Sequence, residues 1–414
     1  MSNWNPVWRV KINGVEYTDA ILSNLTITSG RSNVYEQAQA GYVSISLINL
    51  NQTNIVTNIN DSITIEIQDS AAAFVPLFGG WISDVSVVVT DVGSVAYSQT
   101  VRIIALGILA KASKILTNGV LAQDHDGDQI YDSLYGTFLN EWSEVPPALQ
   151  WNTYDPTVDW ANAENLGLGE IDRPGQYELA NRASSRTDIY TLISALATSG
   201  LGYLYENAQG QICYADADHR RDYLATNGYV ELSANEAIAS GLTLQTRAGD
   251  VRNAITLKYG SLSTNDVSAT DPASMVLFGE LGQIINTTIF SAIDAQAQAD
   301  FYLLLRAYPR AMFNSISYQL TNNELSDADR DSLINIFMGM PVRITEMPNN
   351  MGATFNGFIE GWTFRAAYNE LSITALLSPL PFSVQSTQWQ DVLAAELWNT
   401  ITPTLTWQDA LVVF

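Results

Sequence analysis

The chain has 414 residues, enough for two to four domains that each bury a core of their own. Its 43 acidic residues against 19 basic leave a formal charge of −24, which argues against nucleic-acid binding and against docking on anionic membranes, since both need Lys and Arg patches. Cys213 is the single cysteine, so an intrachain disulfide and a cysteine metal cluster are excluded, and no apolar run reaches the ~18 residues that span a bilayer.

Met1-Ser2-Asn3-Trp4-Asn5-Pro6 lacks the basic and apolar regions of a signal peptide, so a soluble product made in the cytosol is expected. From Val7 to about Leu116 the pattern is β. Val7-Trp8-Arg9-Val10-Lys11-Ile12 runs into Asn13-Gly14, the dipeptide best suited to a tight hairpin. Residues 21–28, 42–48 and 62–68 follow, the last two alternating apolar and polar as half-buried antiparallel strands do. Short strands separated by turn residues point to a small barrel or sandwich.

Between residues 117 and 235 the period changes. Ile130, Leu134, Phe138 and Trp142 fall on one side at helical spacing over 129–142. Ile189, Leu192, Ile193 and Leu196 do the same over 187–198, behind the cap Thr187-Asp188. Residues 145–177 are rich in Pro, Asn, Asp, Gly and Trp and read as a long irregular loop, with Trp151 and Trp160 suited to sugar stacking or protein contact. Residues 203–205 and 211–214 read as a hairpin. From 242 to 380 the β pattern returns, interrupted by an alanine-rich helix at 292–307 that stops before Pro309.

One strand recurs. Phe78-Gly79-Gly80-Trp81-Ile82 is echoed by Phe355-Asn356-Gly357-Phe358-Ile359, each lying between two strand-like runs. A glycine inside a strand marks a bulge or a close backbone approach, and its recurrence in one context points to two related β domains in one chain. The C-terminal segment has its own small repeat: Trp389-Gln390-Asp391 returns as Trp407-Gln408-Asp409, which could dock on this chain or on a neighbour.

For chemistry, Asp124, Asp126, Asp128 and Asp132 stand at the first, third, fifth and ninth places of a loop, as hard oxygens wrapping one calcium ion would. Gln129 occupies the sixth place where that turn wants Gly, and Tyr135 the twelfth where it wants Glu. The other reading is an exposed turn in which Asp128 caps the following helix. Asp216, Asp218 and His219 read as metal ligands, as an acid/base set or as a solvated strand end. The sequence carries no Gly-x-Ser-x-Gly, phosphate-binding Gly-rich loop or His-Glu-x-x-His, so no catalytic residue and no other cofactor is expected.

The order of Gly30-Arg31, Tyr42-Val43-Ser44-Ile45-Ser46-Leu47-Ile48, Ile63 to Ile67 and Leu77-Phe78-Gly79-Gly80-Trp81-Ile82 resembles the start of tail-tip hub (minor tail) proteins of long-tailed bacteriophages. The second half, from the 292–307 helix through Pro341-Val342-Arg343-Ile344 and Gly357-Phe358-Ile359-Glu360-Gly361 to Pro379, is similar to the end of the same family. That family resembles the baseplate hubs of contractile phages.

The resemblance implies a mainly β (α+β) chain with two tube-like antiparallel β-barrel domains at 1–116 and 242–380. An α/β insertion domain would occupy 117–241 and a short tail 381–414. It further implies a homotrimer forming a pseudo-sixfold ring in the virion tail tip, made in the host bacterial cytoplasm. Its partners would be a distal tail or tail-tube protein, a tape-measure protein and tip or fibre proteins. The genome would pass through unbound, with no membrane insertion. Two other readings compete: a receptor- or glycan-binding tail protein, and a polysaccharide-degrading tail enzyme.

Overall fold

The structure, a computed structural model, describes residues 4–17, 20–32, 34–49, 55–90, 98–135, 170–236, 244–246, 248–309, 311–313, 315–348, 354–367 and 370–379. It is mainly β, and alternation builds the strands. In Tyr42–Asn49 the side chains of Val43, Ile45 and Leu47 are buried between half-buried serines, and Ile63, Ile65 and Ile67 repeat this in Ser62–Gln68. Burying one such side chain is worth roughly 1.5–3 kcal/mol, so the pattern sets the register. Asn13 and Gly14, both at positive φ (49° and 76°), make the two-residue turn between Trp8–Ile12 and Val15–Glu16.

Twelve strands form one sheet. Its first part runs, all antiparallel, through Val15–Glu16, Trp8–Ile12, Ser62–Gln68, Phe74–Thr90, Ser98–Leu106, Tyr42–Asn49 and Ala20–Gly30. The sheet does not stop there, because residues 24–30 pair with 361–367 of Phe355–Ala367. That strand in turn pairs with Pro341–Thr345 and with Glu370–Pro379, and the latter pairs with Ser315–Gln319. Val230–Ser233 covers Pro341–Thr345 in parallel, where Trp8–Ile12 covers Ser62–Gln68 antiparallel. The sheet curls back on itself. Trp8 meets Phe364 edge-on with ring centroids 6.0 Å apart, although five strands lie between theirs in the sheet.

Two large apolar cores result, beside a small cluster in which Leu224 and Tyr229 pack on Phe358. One is shared by both β halves and joins Leu25, Ile45, Ile65 and Val101 to Ile316, Tyr318, Val342, Phe364 and Ile373. The other belongs to the segment between them. It is built on helix Asp126–Leu134, helix Ile189–Ser199 and the inner face of the hairpin Tyr203–Glu206/Ile212–Ala215. Asp188 caps Ile189–Ser199 by accepting from the Thr191 N–H, in the place expected from sequence. Helix Asp126–Leu134 begins three residues earlier than the periodicity of 129–142 predicts, and Phe138 and Trp142 lie outside the described residues.

Residues 254–306 depart from the expected second barrel. Ala254–Tyr259, Asn265–Thr270 and Gly282–Asn286 make a separate three-stranded sheet backed by helix Ala292–Arg306. Its buried Ile255, Leu257, Ile285, Ala295 and Ala299 join the insertion's core, and Gln298 Nε2 donates to the Ser199 carbonyl at 2.8 Å. The alanines of this helix let it lie close on the sheet. The sequence pattern marks the strand at 254–259 and the helix at 292–307, but not the strands at 265–270 and 282–286 or the core that all of them serve.

Candidate functional site

The recurring motif occupies the same place in both halves. Ser62–Gln68 follows Phe74–Thr90 until the Asn60 N–H donates to the Ile82 carbonyl (2.8 Å) and the Ile82 N–H to Asp61 (2.9 Å). Pro341–Thr345 follows Phe355–Ala367 until Gly339 N–H donates to Ile359 (2.8 Å) and Ile359 N–H to Met340 (3.0 Å). On the other side, Trp81 faces Leu106 and Ile82 faces Ala105 before the register slips at Ser83. Phe358 faces Ser378 and Ile359 faces Leu377 before it slips at Glu360. The bulge therefore falls three residues after Gly80 and three after Gly357. A β-carbon on Gly80 would collide with the Leu106 carbonyl and the Phe78 ring. One on Gly357 would collide with the Ser378 carbonyl and the Phe355 ring. These are corresponding atoms of the two halves, and both glycines are there because a backbone passes too close for a side chain. Trp81 and Phe358, and Ile82 and Ile359, are all buried.

The bulge residues differ, and that difference makes the polar centre of the molecule. At Ser83 the hydroxyl donates to the Ile104 carbonyl (3.2 Å). At Glu360 the carboxylate is buried and takes Arg31 Nε at 2.6 Å, Arg220 at 2.7 and 3.0 Å, and the Ser378 hydroxyl. Arg31 comes from the first β half, Arg220 from the insertion and Glu360 from the second half, so three segments meet at one carboxylate. The Arg220 guanidinium also stacks 4.3 Å over Tyr203 and 5.2 Å over Phe358. Burial alone would raise the Glu360 pKa. The charges of Arg220 and Arg31 and their hydrogen bonds outweigh it and hold the carboxyl at about 2. Burial lowers Arg31; at Arg220 burial also lowers, but the attraction of Glu360 and Tyr203 together with their hydrogen bonds outweighs it and raises the pKa. The sequence signal was faint: one charge in the otherwise apolar run Phe358-Ile359-Glu360-Gly361-Trp362.

Within the insertion, Glu206 and Asp126 are buried carboxylates held by N–H and hydroxyl donors. Glu206 accepts from the Leu109 N–H (2.5 Å) and the Gly41 N–H (2.7 Å), and burial raises it to about 7 against those bonds. Asp126 accepts from the Tyr177 N–H (2.8 Å) and the Tyr214 hydroxyl, with burial raising it to about 6. His219 Nδ1 lies 2.6 Å from Asp172, which also accepts from the Asp216 N–H. Asp172, Asp216, Asp218 and His219 line an open cleft of about 330 Å³. Burial, and then the nearby Asp172, push the Asp216 carboxyl up.

The calcium reading of Asp124, Asp126, Asp128 and Asp132 needs correction. Residues 124–125 form a strand paired with Glu178–Leu179, and the helix starts at Asp126, so there is no wrapping loop. Asp126 turns into the core while Asp128 pairs with Arg173 at 2.6 Å. Among the described residues no three His, Cys, Asp or Glu side chains gather as a metal group. Nor is Asp128 the cap, since His125 holds that place and Asp128 sits in the first turn, where a carboxylate suits the helix dipole. Trp389, Asp391, Trp407 and Asp409 lie outside the described residues, as do Trp151 and Trp160. Among the described residues no helix is long and apolar enough to cross a membrane.

No family model matches the chain, and no curated protein matches it. Solved structures do. It is similar to the 43 kDa tail protein of prophage MuSo2 from Shewanella oneidensis, with a TM-score of 0.55 and 11% identity over 91% of this chain and 99% of that one. It is also similar to the tail protein from Neisseria meningitidis MC58, with a TM-score of 0.60 and 10% identity over 90% and 96% of the two chains. At such identity the likeness is one of fold, and it extends over nearly the whole chain.

Proposed function

We propose that this chain, which has the fold of phage tail proteins, is a structural component of a virion tail: the hub of a tail tip or baseplate. In this reading three copies form a ring whose six β sectors continue the tail tube and join it to tip and fibre proteins. The first sector is the β half up to about residue 106. The second is residues 244–246 with 311–379, and the insertion, enlarged by residues 254–306, stands to one side. The observation that carries the reading is the matched motif strand. The same glycine, bulge and ladder occur twice in one sheet, so each chain offers two like sectors. Closed rotational assembly would give the edge strands of each sector partners.

The charge of −24 suits a conduit past which a genome slides without being held. Tube and tape-measure proteins would be the neighbours above and within. The chain acts without catalysis in this reading, and it is made in the host cytoplasm. A symmetry-resolved image of the purified oligomer tests it. A threefold ring with a central hole and six similar sectors is expected, and a solid particle or a different symmetry overturns it.

A further inference from the structure

The two motif strands have corresponding neighbours on one side and differ on the other. After the bulge, residues 84–90 pair with 98–104, and 361–367 pair with 370–376, in the same register. The opposite edge of 361–367 is filled by residues 24–30. The opposite edge of 84–90 takes no strand among the described residues, because the ladder from Ser62–Gln68 ends at Trp81.

Side chains record the difference. Phe364 and Ala366 are 2% and 4% exposed, whereas Val87 and Val89 at the corresponding positions are 50% and 44% exposed. An apolar strand edge with free backbone groups and no guarding Lys or Pro is a template for another strand.

The internal repeat also says which strand fits. Ser44 faces Ile104 and Ser315 faces Leu376, which are the partners of Asp84 and Gly361. Two residues upstream, Tyr42 faces Thr28 and Phe313 faces Leu244. Leu244–Thr246 therefore stands in the second half where residues 28–30 stand in the first, and among the described residues its other edge is also unpaired. We infer that the start of this edge, residues 84–86, is the docking surface for strand Leu244–Thr246 of a second copy of this chain. The strands run antiparallel, with Ser86 opposite Leu244 as Thr363 is opposite Thr28. The contact between copies then repeats the seam already present within each chain. It is head-to-tail, the kind of contact that closes into a ring.

This inference rests on the two-sector reading but names the contact rather than the copy number, and one experiment separates them. Ser86→Cys and Leu244→Cys are combined in one chain, oxidised, and run on a denaturing gel beside Val85→Cys with Leu244→Cys. Facing residues lie close enough to bridge, and a one-residue slip turns the side chains to opposite faces. Disulfide-linked copies from the first pair and at least tenfold fewer from the second are expected. A covalent series ending at three supports both readings. One ending at another number keeps the edge inference and overturns the threefold hub. A native trimer without the Ser86–Leu244 link overturns the edge inference and leaves the hub standing, and a monomer that fails to link overturns it too. As a second reading, Val87→Glu with Val89→Glu should abolish association while leaving the melting temperature of the isolated chain within a few degrees.

Discussion

The strands Phe74–Thr90 and Phe355–Ala367 have the same glycine, the same bulge and the same ladder, yet among the described residues one edge of the first takes no strand while the same edge of the second is filled by residues 24–30. Their bulge residues differ accordingly. Glu360 anchors two arginines from distant segments, and Ser83 bonds only locally. One fold element has thus become an internal weld in one place and an available edge in the other.

The largest test of this contrast is the weld. Glu360→Gln leaves two buried guanidinium groups without their anion and should cost about 3–5 kcal/mol, whereas Ser83→Ala should cost less than about 1 kcal/mol. Urea unfolding of both variants measures it, and equal losses would break the comparison. Next comes the covered edge. Phe364→Ala should cost about 3–5 kcal/mol in the isolated chain, and Val87→Ala at the matching exposed position less than about 0.5 kcal/mol. If the valine proves as costly as the phenylalanine, the edge is already covered.

The shared part of the motif should respond alike in both halves. Gly80→Val and Gly357→Val each push a side chain into a backbone carbonyl and should each cost about 1–3 kcal/mol or more, with denaturation midpoints close to one another. A large disparity would mean that the two glycines do different jobs.

A further contrast is in pH. The Glu360 carboxyl, lowered from 4.5 to about 2, contributes stability that is present above 4.5 and lost as pH falls toward 2. Glu206, raised to about 7, has the opposite sign: its contribution is full below 4.5 and is lost as pH rises to about 7. Between pH 4.5 and 7 the melting temperature of Glu206→Gln should therefore fall less than that of the parent. Parallel melting curves for the two would show that Glu206 does not titrate there.

Much of this fold was legible because its signals are local. The strands at 42–48 and 62–68 alternate, Asn13-Gly14 names its own turn, and the glycine in each motif strand marks the bulge that follows it. The polar centre was not legible. Arg31 lies 329 residues from Glu360, and Arg220 lies 140 residues away, so no spacing links them. The aspartates at 124–132 misled for a related reason. Their alternation imitates an ion-binding loop, but Tyr177 and Tyr214, more than 50 residues downstream, turn Asp126 inward and begin the helix. Likewise the pattern over 254–306 shows its first strand and its last helix, but not the two strands between them or the core they join.

The pairing of residues 24–30 with 361–367 also bears on how the protein is made. A nascent chain exposes strand Ala20–Gly30 early and cannot supply its mate until nearly all of the sequence has left the ribosome. Throughout synthesis that first β half carries a second bare edge, open to pairing with other nascent chains. A fragment ending at residue 340 should keep this edge permanently and sediment as aggregates where the full chain does not.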